Sequence, residues 1–132
     1  MLNLVNVLIV EDELFLRETI GEMFVNAGAI VDFAADGDSA FVKVSQNNYD
    51  VVLSDIKMPG LGGVELMKKI NCLPEKKPLC FFLTGSIGCL GEELEKLGVA
   101  KLFLKPFSTA ALIEEIALAL QRRSEGFVGY ES

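Results

Sequence analysis

Two short runs in this sequence, Val51-Val-Leu53 and Cys80-Phe-Phe-Leu83, are apolar at every position. A strand with one face in water alternates apolar and polar residues. An unbroken apolar run bounded by polar residues therefore points to a strand covered on both faces, as in a parallel sheet between two layers of helix. The segments flanking these runs have a different period. Over residues 14–27, Leu16, Ile20, Met23, Phe24 and Ala27 recur at the spacing of one helical face, and Gly28 stands where a C′ glycine ends a helix.

The same alternation continues along the chain. Residues 5–10 read as a strand running into acids, and residues 30–34 as a second strand. Residues 39–46 read as a helix with Phe41 and Val44 inward, and residues 50–54 as a third strand. A helix over residues 63–71 uses Val64, Leu66, Met67 and Ile70. It is followed by a strand at 79–84, a helix at 90–97 closed by Gly98, and a strand at 101–104. A last helix is capped by Ser108 and turns Leu112, Ile113, Ile116 and Leu120 toward the core. Five strands alternating with five helices define an α/β, doubly wound fold. One domain is expected over residues 1–120, with the polar residues 121–132 as a C-terminal tail or the start of a linker.

Composition narrows the function. A chain of 132 residues with 51% apolar content can bury a full core. Its formal charge of −7 argues against direct nucleic-acid binding, which needs a basic face. The first residues lack a charged leader, and Asn3 and Asn6 interrupt any apolar signal segment. No apolar stretch reaches the roughly 20 residues that span a bilayer, so a cytoplasmic protein without membrane insertion is expected. Cys72, Cys80 and Cys89 form no metal-binding spacing and read as reduced thiols in or beside the core. There is no histidine, so neither a nucleophile–histidine pair nor an internal phosphohistidine is available.

In an open parallel sheet, reactive groups gather just beyond the carboxyl ends of the strands. Those positions carry Glu11, Asp12 and Glu13 after the first strand, Asp55 after the third, Thr84 and Ser86 after the fourth, and Lys105 after the fifth. Carboxylates brought within about 4 Å repel by roughly 4 kcal/mol per pair at an effective dielectric near 20. Such a cluster calls for a cation, and oxygen ligands suit Mg²⁺. With Lys105 as a second positive charge, the set is what an aspartate needs to form an acyl phosphate.

The motifs Val10-Glu-Asp-Glu13, Ser54-Asp-Ile-Lys-Met-Pro-Gly60, Leu83-Thr-Gly85 and Lys105-Pro-Phe107 resemble those of response-regulator receiver domains of two-component signalling, the CheY-like family. The likeness covers residues from about 5 to 120, and four motifs in the right order are far more specific than any one. It implies a flavodoxin-like (βα)5 fold with a five-stranded parallel sheet of order 2-1-3-4-5. It also implies phosphorylation at Asp55 and catalytic roles for Thr84 and Lys105. The metal, Mg²⁺ or Mn²⁺, would be held by Glu11, Asp12, Asp55 and the backbone carbonyl of Lys57. Thr84 and Phe103 would form the switch, and Lys105-Pro106 would be a cis peptide. The implied donor is a histidine kinase or histidine phosphotransfer protein. The output is a downstream effector, or phosphorylation-dependent homodimerisation, reached through the surface of the fourth helix, fifth strand and fifth helix. Such a domain is not an enzyme beyond its own phosphorylation and dephosphorylation. The chain departs from the common pattern at Glu11, Gly62 and Gly85, while Lys57 and Ser86 occupy positions that influence acyl-phosphate lifetime.

Each feature also has a plainer reading. Glu11, Asp12 and Glu13 suit a helix N-terminus by charge, residues 55–60 could be only a turn, Thr84 a cap, Lys105 a solvated charge and Phe103 core. An aspartate-based phosphohydrolase is a rival function, but Lys57 stands where it would need a second acid. A degenerate receiver serving only as an interaction module would not need all five of Glu11, Asp12, Asp55, Thr84 and Lys105. No Gly-rich nucleotide-binding turn is present. The sequence leaves open whether the chain acts alone or is part of a longer one.

Overall fold

A computed structural model describes residues 1–58, 60–74, 77–85 and 89–125, the side chains of residues 89–91 excepted. Pro59, Ser86, the Cys89 thiol and the tail from residue 126 lie outside the described residues. The elements alternate throughout: β1 (Asn6–Val10), α1 (Leu14–Asn26), β2 (Ile30–Ala34), α2 (Gly37–Gln46), β3 (Val51–Asp55), α3 (Gly63–Asn71), β4 (Leu79–Thr84), α4 (Cys89–Lys96), β5 (Lys101–Leu104) and α5 (Thr109–Ser124). All neighbouring strands are parallel, in the order β2-β1-β3-β4-β5. This is the doubly wound fold expected from the sequence.

The unbroken apolar runs are explained by two cores, one on each side of the sheet. Leu8, Val10, Val52, Cys80 and Phe82 face α2, α3 and α4, where they meet Ala40, Val64, Leu66, Ile70 and Leu94. Val7, Ile9, Val51, Leu53, Phe81 and Leu83 face the other way and meet Ile20 and Phe24 of α1 and Leu112, Ile113 and Ile116 of α5. Successive side chains still alternate, but both destinations are dry.

Helix boundaries follow local capping chemistry. Asp36 accepts the Ser39 amide at 2.7 Å, so α2 begins at Gly37, two residues before the expected start at Ser39. Ser108 caps α5 as expected, accepting the Ala111 amide at 3.2 Å. Gly28 and Gly98 have φ of +98° and +88°, the left-handed geometry that ends α1 and α4. One detail differs from the sequence reading. Met23 is exposed, because α1 buries the Ile20–Phe24 line and leaves Met23 on its flank. Helix α5 runs through Ser124, and the Arg123 guanidinium donates to the Lys77 carbonyl at 2.6 Å.

Phe82 sits near the middle of the α3/α4-facing core and is fully buried. Phe82→Ala is expected to destabilise the fold by about 3–5 kcal/mol through lost transfer energy and a residual cavity, read from the urea-denaturation midpoint.

Candidate functional site at the carboxyl edge of the sheet

The strand order decides which polar residues meet. Val10 pairs with Ser54 in the β1–β3 ladder, so the residues that follow, Glu11 and Asp12 on one strand and Asp55 on the other, emerge side by side. One carboxylate oxygen from each of Glu11, Asp12 and Asp55 lies within 4.8 Å of the other two. Lys105 starts one strand further away, beyond β4. Its amide donates to the Thr84 carbonyl at 2.8 Å, which ties the ends of β4 and β5 together. Its side chain then reaches across to place Nζ 3.1 Å from Asp55 Oδ2. The Lys105–Pro106 peptide is cis, as the resemblance implied.

Asp55 is fixed at its other oxygen and along its backbone. Oδ1 accepts the Ile56 amide at 3.0 Å, and the Ser54 hydroxyl donates to the Asp55 carbonyl at 2.8 Å. Glu11 is the most enclosed of the acids, with 3% of its surface exposed. Its Oε2 accepts the Glu13 amide at 3.1 Å and its carbonyl accepts from Arg17 at 2.8 Å, whereas Oε1 is buried with no partner among the described residues. Burial is the main force raising the Glu11 carboxyl above its ordinary value. The Glu13 amide opposes it, Asp55's charge adds to it, and Lys105 counters it more weakly. Asp12 stands exposed at the mouth. Glu13 serves the plainer purpose, capping α1 by accepting the Leu16 amide at 2.9 Å.

Three carboxylates facing one ammonium leave a formal charge of −2, the deficit a dication offsets. All the side-chain donors are oxygens, and the orphaned Oε1 of Glu11 is a lone pair already removed from water. The residues present therefore fit a hard divalent ion such as Mg²⁺.

Thr84, the last residue of β4, is buried on the side of the sheet facing α4. Register pairs it with Leu104, so Leu104 and Leu102 share its face; with Glu95 and Val99 these residues line a cavity of about 520 Å³. Phe103 does not share that face. It packs in the α1/α5 core, its ring 6.1 Å from that of Phe81, centroid to centroid. Strand alternation puts Leu102 beside Thr84 and turns the Phe103 ring toward α1 and α5, while Phe103 also contributes to the lining of the same cavity.

The remaining expectations fall as follows. The Lys57 side chain is exposed. Gly85 has open space where a Cβ would stand, consistent with an unobstructed approach to the site. Cys80 is buried and its thiol is pushed up to about 12 by desolvation, whereas Cys72 is exposed. No described helix is long and apolar enough to cross a membrane.

Residues 7–117 match the response regulator receiver domain family. The chain is 29% identical to the transcriptional regulatory protein ResD of Bacillus subtilis over 93% of its own length, and 32% identical to the two-component response regulator PhoP of Pseudomonas aeruginosa over 92%. It spans about half the length of each of these, 51% and 53%. It is 31% identical to sporulation initiation phosphotransferase F of Bacillus subtilis, covering 88% of this chain and 90% of that one. Among solved structures, the response regulator TrrA of Thermotoga maritima, in complex with Mg²⁺ and BeF, superposes with a TM-score of 0.77 at 29% identity, covering 87% of this chain and 98% of that one.

A carboxyl whose folded-state pKa is raised binds protons that the unfolded chain has released, so the fold loses stability as pH rises through and above the ordinary glutamate range. In chelator-containing buffer, Glu11→Gln is expected to be more stable than wild type at neutral pH. Urea denaturation across a pH series should show the difference shrinking as pH falls toward that range.

Proposed function

The chain belongs to the response-regulator receiver-domain family, and from that premise we propose that it is a phosphoacceptor switch whose acceptor is Asp55. The observation that carries this reading is the meeting of Asp55, Glu11 and Asp12 with the Lys105 ammonium at one sheet edge. An isolated strand-end carboxylate would have no use for two further acids and a lysine drawn from a distant strand.

In the proposed step, a carboxylate oxygen of Asp55 attacks phosphorus. A new oxygen–phosphorus bond forms as the bond to the donor breaks, and the donor leaves with that electron pair. The chain has no histidine, so the donor is another molecule, a phosphohistidine on a histidine kinase or phosphotransfer protein. Lys105 holds its ammonium against the acceptor and offsets charge on the incoming group. Thr84 offers its hydroxyl to a phosphoryl oxygen. Glu11, Asp12, Asp55 and the Lys57 carbonyl would hold Mg²⁺ or Mn²⁺, which when bound neutralises charge on the phosphoryl oxygens. The response travels from Thr84 to the cleft between α4 and β5, where Leu102 and Leu104 lie. From there a changed α4/β5/α5 surface is read by an effector or a second copy. The chain acts as a signalling domain, its only chemistry being its own phosphorylation and dephosphorylation.

With acetyl phosphate and Mg²⁺, intact-mass measurement is expected to show one added phosphoryl group on the wild type and none on Asp55→Asn. Lys105→Ala should slow labelling by on the order of 10²-fold, the scale of losing one positioned electrostatic group. Labelling of Asp55→Asn at the wild-type rate would move the acceptor elsewhere.

A further inference from the structure

The segment joining β3 to α3 carries Lys57, and its backbone is pinned at both ends. At the start, the Ile56 amide donates to Asp55 Oδ1 at 3.0 Å and to the Leu83 carbonyl at 3.2 Å. At the close, the Gly63 amide donates to the Ile56 carbonyl at 2.8 Å, and a Cβ on Gly63 would stand 3.0 Å from Ile56 Cα and from the Phe82 ring. Between these pins the outer limb of the loop rests on the first turn of α2. The Leu61 amide donates to Asp38 Oδ2 at 3.2 Å. Gly37 is buried so closely beneath Leu61 that a Cβ there would overlap the Leu61 carbonyl oxygen. Gly60, at φ +71°, takes a left-handed conformation, and a Cβ there would stand 2.6 Å from Asp38 Oδ2.

Helix α2 is fixed independently, by the Asp36 cap and by Ala40, which is fully buried. It therefore presents a rigid support to a loop rich in glycine. Asp38 itself is exposed, so its hydrogen bond to Leu61 contributes little to the core. Its effect falls on where the loop lies, and that loop carries the one backbone ligand assigned to the cation.

We propose that Gly37 and Asp38 are positioning residues of the phosphoacceptor site: the first turn of α2 holds the β3–α3 loop so that the Lys57 carbonyl is preset for the divalent ion. The inference rests on the phosphoacceptor reading of Asp55. It places control of cation affinity on a helix that contributes none of the site's reactive side chains. Loss of the support lets the loop sample other positions and weakens cation binding, while the acceptor, Thr84 and Lys105 stay in place.

The test is calorimetric Mg²⁺ titration of wild type, Asp38→Ala, Asp38→Asn and Gly37→Ala, with thermal unfolding of each in chelator. Asp38→Ala is expected to unfold at the wild-type temperature yet bind Mg²⁺ roughly 3- to 10-fold more weakly, the scale of one hydrogen bond. Its acetyl-phosphate labelling should slow at low Mg²⁺ and recover at saturating Mg²⁺. Asp38→Asn, which keeps an acceptor oxygen for the Leu61 amide, should return toward wild-type affinity, and Gly37→Ala should weaken binding in the same direction as Asp38→Ala. Wild-type Mg²⁺ affinity in both Asp38→Ala and Gly37→Ala would overturn the positioning role. A wild-type chain that binds no Mg²⁺ would instead overturn the phosphoacceptor reading on which that role rests.

Discussion

Three carboxylates cannot be held within 4.8 Å of one another without something to oppose their repulsion. Here the opposition comes from the sheet. Its central strands are buried on both faces, and side chains such as Val7, Leu53, Phe81 and Phe82 have at most 1% of their surface exposed. Their burial fixes the β1–β3 register, and register brings Glu11 and Asp12 to Asp55 whatever the electrostatic cost. Lys105 relieves part of that cost from β5, and a divalent ion is suited to relieve the rest. The site is thus stored electrostatic strain, maintained by the packing of the core that fixes the strand register. Such strain suits a switch, because a change of charge at Asp55 alters a balance that already stands far from neutral.

Around the acids, the polar groups are committed one by one. Glu13 is spent on capping α1, and Glu11 is anchored through its carbonyl and through Oε2. Asp55 gives Oδ1 to its own following amide and turns Oδ2 to Lys105. The remaining buried oxygen, Oε1 of Glu11, has no partner among the described residues, and it belongs to the acid whose carboxyl is raised mainly by burial. A buried lone pair left unpaired is costly in a finished structure and useful in a binding site. The second layer of support is made by backbone amides: Lys105 N–H donates to the Thr84 carbonyl, Gly63 N–H to the Ile56 carbonyl, and Leu61 N–H to the Asp38 carboxylate. These bonds give the loops above the sheet a defined rest position although they carry many glycines.

The sequence alone determined a good deal. Apolar runs without alternation announced strands covered on both sides, helical spacing announced the layers that cover them, and the residues after each strand announced the chemistry. These are local signals, because periodicity, capping and turn chemistry depend on neighbours within a few residues. Tertiary structure decided what depends on distance through space. It gave Glu13 to a cap while Glu11 and Asp12 joined Asp55, brought Lys105 across an intervening strand, and set Gly37 and Asp38 beneath the loop after Asp55. It also placed Phe103 with Phe81 in the α1/α5 core and left Leu102 on the face of Thr84. Periodicity places a side chain relative to its own strand; only the register between strands and the packing of helices on the sheet fix which side chains from distant segments meet.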